Sequence, residues 1–113
     1  MKREKINFNV ELKDAFGKVM TEPKEYRSTD MVPVILSKFV INALADPTNV
    51  SDEKGLDAVA IVKRLKLQQK VAVNEQQEFS TDELALIREV TLLSFNQKRT
   101  SSYVAGTVLA MTE

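Results

Sequence analysis

The segment Met31–Ala45 constrains the fold most. Met31, Val32, Val34, Ile35, Leu36, Phe39, Val40, Ile41 and Leu44 leave only Ser37, Lys38 and Asn42 clearly polar. A segment apolar nearly all round must be covered on several sides, so the rest of the chain has to wrap it. Its length of about fifteen residues favours a helix over a buried strand, although the β-branched residues keep the strand open. Asp30 or Thr29 is the candidate cap, Pro33 is tolerated in a first turn, and Asp46-Pro47 ends the segment.

Three further segments have helical character. In Leu56–Lys70 the stripe Ala58, Ile61, Val62 and Leu65 is expected to face the core, with Lys63, Lys66 and Lys70 turned away from it and Ser51 as a cap. Phe79-Ser80-Thr81-Asp82-Glu83-Leu84 carries capping-box spacing at Ser80 and Glu83, and hydrophobic-staple spacing at Phe79 and Leu84. That helix runs to about Phe95, burying Leu84, Ile87, Val90 and Leu93. After a polar loop, Thr100 or Ser101 caps a last helix over Ser102–Met111, with Tyr103, Val104, Val108 and Met111 as its apolar side. Gly106 costs a helix roughly 1 kcal/mol relative to Ala, which points to close packing at that position.

The first twenty-one residues read differently. Ile6, Phe8, Val10 and Leu12 alternate with Asn7, Asn9, Glu11 and Lys13, the period of a half-buried strand. Asp14-Ala-Phe-Gly17 suits a tight turn, so Lys18–Thr21 pairs back as a second strand. Glu22–Asp30 reads as a loop. Val71–Glu78 is a polar connection, with an extended piece at Val71–Val73. The expected fold is a single mainly helical α+β domain: an N-terminal hairpin over residues 1–21, then about four short helices over 31–112.

Composition narrows the chemistry. The chain has 113 residues, no His, no Cys and no Trp, and its sixteen basic and sixteen acidic residues cancel. The usual zinc ligands and thiol or Ser–His nucleophiles are therefore missing. Its three glycines lie far apart, so no P-loop or dinucleotide fingerprint can form. The acidic pairs Asp52/Glu53 and Asp82/Glu83 sit where helix N-termini favour carboxylates. No catalytic residue, metal ligand or cofactor is expected. No apolar run reaches the about 18 residues of a membrane span, and no secretory signal opens the sequence, so a cytoplasmic location is the expectation.

Two binding modes remain. The basic stretch Lys63-Arg64-Leu-Lys66-Leu-Gln-Gln-Lys70 could neutralise phosphates, but a nucleic-acid binder ordinarily has a basic excess that this chain lacks. A helix-turn-helix over the last two helices would carry Ser101, Ser102 and Tyr103 where base-reading side chains belong. The leading expectation is contact with a protein partner or a second copy. Lys63, Lys66 and Lys70 would steer the encounter, and Tyr103 and Met111 would supply contact area.

Leu12-Lys-Asp-Ala-Phe-Gly-Lys-Val, Asn42-Ala-Leu-Ala-Asp, Phe79-Ser-Thr-Asp-Glu-Leu-Ala-Leu-Ile and Ser102-Tyr-Val-Ala-Gly-Thr-Val-Leu, in that order around the Lys-rich helix, resemble small proteins of tailed-bacteriophage and prophage genomes. The resemblance spans nearly the whole chain and fits least over Glu22–Asp30 and Val71–Glu78. It implies action inside a bacterial host cell, as assistance in virion assembly or interference with a host protein. It assigns no site residue.

Overall fold

The computed structural model describes residues 4–50 and 55–113. In chain order these form β1 (Glu4–Ile6), β2 (Thr21–Pro23), β3 (Met31–Pro33), α1 (Leu36–Ala45), α2 (Ala58–Val71), β4 (Gln77–Phe79), α3 (Thr81–Asn96) and α4 (Ser102–Met111). The architecture is the expected α+β one, with an N-terminal hairpin ahead of four helices.

The hairpin turns where Asp14 and Gly17 place it. The Asp14 carboxylate accepts from the backbone N–H of Phe16 and of Lys18, and Gly17 adopts φ +79°, a conformation that side chains disfavour. Lys13 bridges Val19 across this turn, and the Met20 N–H reaches the Leu12 carbonyl. The strands are more interlaced than alternation alone implies. β1 leaves the hairpin to pair antiparallel with β4, Ile6 opposite Gln77, while β2 pairs with β3, Glu22 opposite Val32.

Four expectations are corrected here. Residues 31–33 are a strand, and the helix of the apolar segment starts at Leu36. Pro33 lacks an N–H and disfavours helical geometry at Val32, and Val34 and Ile35 are β-branched, so extended backbone wins locally. Neither Thr29 nor Asp30 caps α1. Its N-cap residue, Ile35, makes no side-chain bond, and the Leu36 N–H is taken by the Val10 carbonyl at 2.9 Å. The extended piece of the 71–78 connection lies at Gln77–Phe79, whereas Val71 ends α2. Asp57 caps α2 by accepting from the Ala60 N–H at 2.8 Å, and Ser51 lies outside the described residues.

Two other caps agree with the spacing of the sequence. Ser80 Oγ accepts from the Glu83 N–H, and the Glu83 carboxylate accepts from the Ser80 N–H at 2.8 Å, a complete capping box. Ser101 likewise caps α4. One apolar cluster joins the elements: Phe8, Leu12, Leu36, Val40, Leu44, Leu67, Val71, Phe79, Ile87, Val90 and Val108 are all buried within it. Phe8 and Phe79 meet edge to face with centroids 5.4 Å apart, fastening the N-terminal segment to the strand that leads into α3.

Candidate protein-interaction surface

The orientation of α2 was not legible from its periodicity. Arg64, Leu67 and Val71 are buried, while the stripe expected to be core faces outward, with Ile61 56%, Val62 48% and Leu65 50% exposed, and Val59 beside it is 66% exposed. A distant residue meets the end of this helix. Asn9 Nδ2 donates to the carbonyls of Val71, Ala72 and Val73 at 3.0–3.3 Å, and its Oδ1 accepts from Ser37 Oγ at 2.8 Å. Asn9 thereby caps the C-terminal end of α2 and ties it to the start of α1. Leu67 and Val71 fall inward, and the stripe Ala58, Ile61, Val62, Leu65 is left on the far side.

α2 therefore separates two depressions. The first is a cleft of about 440 Å³ between α2 and the start of α3, lined by Lys63, Lys66, Leu67, Lys70, Ser80, Asp82, Glu83 and Leu86. The second is a cavity of about 620 Å³ between α2 and the end of α1, with Leu44, Asp46, Leu56, Ile61, Arg64 and Leu65 among the described residues of its wall.

The three lysines of the basic face are not equivalent. Lys70 Nζ pairs with the Glu83 carboxylate at 2.9 Å and lies 4.8 Å from the Phe79 ring centroid, so it belongs to the capping box and its hydrophobic support. Burial pushes the Glu83 carboxyl up, yet the Ser80 N–H and Lys70 together outweigh it and hold the group below its ordinary range. Lys63 and Lys66 are exposed and form no ion pair with a described residue. With Val59 and Val62 they occupy positions i, i+3, i+4 and i+7, a mixed apolar and basic ridge along the outer side of α2.

Tyr103 and Met111 lie elsewhere. They line an open depression of α4 with Lys13, Asp14, Gly106 and Thr107 that shares no residue with the cleft of the lysines. Tyr103 is 43% exposed and Met111 is partly buried against the core. A Cβ added at Gly106 meets nothing within 4 Å, so close helix packing is not the reason for this glycine. The five residues expected to act together fall on two surfaces. The sequence places Ile61, Val62 and Leu65 in the core, and no local signal moves them to the surface, because the contacts that hold Leu67 and Val71 inward come from residues distant in the chain.

A second polar cluster braces the end of α1. Arg99 donates to the Asp46 carboxylate and to Thr48 Oγ1, and Asn49 Nδ2 donates to the Ala43 carbonyl and Ser94 Oγ, both at 3.0 Å. The hydroxyl and backbone N–H of Thr48, with the Arg99 charge, hold the Asp46 carboxyl below its usual range. Among the described residues no group of three or more acidic side chains could hold a metal ion, and no helix is long and apolar enough to cross a membrane. Compared with protein-family models, curated proteins and solved structures, the chain matches none.

Proposed function

We propose that this chain acts without chemistry of its own, by holding an acidic amphipathic helix of a partner protein along the outer side of α2. One observation carries this reading: Val59, Ile61, Val62 and Leu65 project from a regular helix at roughly half exposure or more, beside two lysines that no described residue neutralises. Apolar side chains at helical spacing with a charged flank are what a helix-in-groove contact requires. Lys63 and Lys66 outnumber the nearby Asp82, which sets the sign of the preferred partner. Lys70 contributes by stiffening the α3 side of the cleft, and Tyr103 and Met111 are not part of this contact. The resemblance to phage proteins would make the partner a virion component or a host protein.

The nucleic-acid reading has less behind it. Lys70 is engaged by Glu83, Arg64 is buried, and two carboxylates edge the same cleft, so Lys63 and Lys66 alone would meet phosphate.

The chain contains no cysteine, so Val62→Cys offers a unique attachment point for a photocrosslinker. In bacteria expressing this variant, the expected adduct is one protein joined through an acidic amphipathic helix, and it disappears when Lys63 and Lys66 are both changed to Glu. Adducts made only with nucleic acid or with a second copy, or an adduct indifferent to the lysine reversal, would overturn the reading.

A further inference from the structure

We propose that two copies of this chain pair through the α4 face, each inserting Phe16 into the other's depression over Gly106. Phe16 is the most exposed large apolar side chain among the described residues, at 95%. Its backbone is fixed by the turn. The Asp14 carboxylate accepts from the Phe16 and Lys18 N–H groups, the Asp14 N–H reaches the Lys18 carbonyl at 2.9 Å, and the Gly17 N–H reaches the Asp14 carbonyl at 3.0 Å. An aromatic ring offered on a preorganised turn loses little freedom when it is covered, which suits an interface anchor.

The receiving surface lies beside that ring. Asp14, whose carboxylate oxygen is 2.8 Å from the Phe16 nitrogen, is itself in the wall of the depression with Lys13, Tyr103, Gly106, Ala110 and Met111. Almost wholly exposed, the ring does not fill this depression in its own chain. A Cβ added at Gly106 meets nothing within 4 Å, so the floor is open to a ring from outside. A knob and a hole adjacent on one surface are complementary to a second copy turned about a two-fold axis, because each contact then occurs twice. The rim has the same self-complementarity in charge. Lys13 and Asp14 form no ion pair with a described residue, and a two-fold arrangement can set each copy's Lys13 against the other's Asp14. An acidic partner meets only Lys13 and a basic one only Asp14, whereas a second copy meets both. The patch is small, so pairing is expected from about 0.1 mM upward and leaves the dilute chain monomeric. No residue of α2 takes part, so this inference does not rest on the partner-helix reading.

The test is sedimentation equilibrium of the intact chain from about 10 μM to about 1 mM, with NMR spectra over the same range. A monomer–dimer equilibrium is expected, with shifts at Phe16, Gly106 and Ala110 and none at Val62. Phe16→Ala, and Gly106→Gln to fill the floor, should each keep the fold by circular dichroism and weaken pairing at least about tenfold. Mixing the two variants should restore part of the association, because the intact ring of one then meets the intact floor of the other. A chain still monomeric at about 1 mM, a dimer indifferent to both substitutions or mapped to Val59 and Val62, or variants that stay apart when mixed, would overturn the proposal.

Discussion

At the scale of single residues, Asn9 and Gly106 show where local reasoning stops. Asn9 reads in sequence as the polar partner of an alternating strand, yet its amide meets three carbonyls at the end of α2 and ties that end to the N-terminal segment. Gly106 reads as a close-packing glycine, yet it sits on an open helix surface. Its helical backbone suits alanine, and the glycine only adds freedom to the unfolded chain. Gly106→Ala should therefore raise stability by about 0.5–1 kcal/mol in urea denaturation. A loss of stability would mean that α4 packs against something at this position.

At the scale of elements, what was legible is what local chemistry decides. Ser80 with Glu83 and Ser101 are short-range signals, and α3 and α4 begin where those residues put them. Ser80→Ala should cost about 1 kcal/mol in the same melts, since the side-chain half of the capping box is lost. The start of α1 was not legible, because its first N–H is met by the Val10 carbonyl and not by a nearby side chain. The rotation of α2 was not legible either. Its sequence contains two usable stripes, Ala58/Ile61/Val62/Leu65 and Ala60/Arg64/Leu67/Val71, and only tertiary contact selects between them. Since Val59 and Val62 lie outside the core, Val59→Ser with Val62→Ser should shift stability by no more than about 0.5 kcal/mol per site. A loss of several kcal/mol would return that face to the core.

At the scale of the whole molecule, α2 leaves Val59, Ile61, Val62 and Leu65 exposed, together with Lys63 and Lys66, which form no ion pair with a described residue. The acid response follows from two carboxyls. Asp46 and Glu83 both have folded-state pKa values below the ordinary range, Asp46 through the Thr48 and Arg99 bonds and Glu83 through Ser80 and Lys70. A carboxyl depressed on folding contributes stability that is fully present above its unfolded value, about 3.9 for Asp and 4.3 for Glu, and is lost as pH falls through the folded value. The urea midpoint should therefore fall as pH is lowered from about 6 to about 3, with a smaller fall when Asp46→Asn and Glu83→Gln are combined. A midpoint independent of pH in wild type would remove both interactions from the account.

The central claim is that α2 presents a contact surface with a charged flank. Its most direct test is the dissociation constant for the helix captured by crosslinking at Val62, made as a peptide and titrated calorimetrically into the intact chain at low and high salt. Binding should weaken by about tenfold or more on Leu65→Asp with Val62→Asp, and lose most of its salt dependence when Lys63 and Lys66 become Glu. Affinity unchanged by all four substitutions would contradict the account.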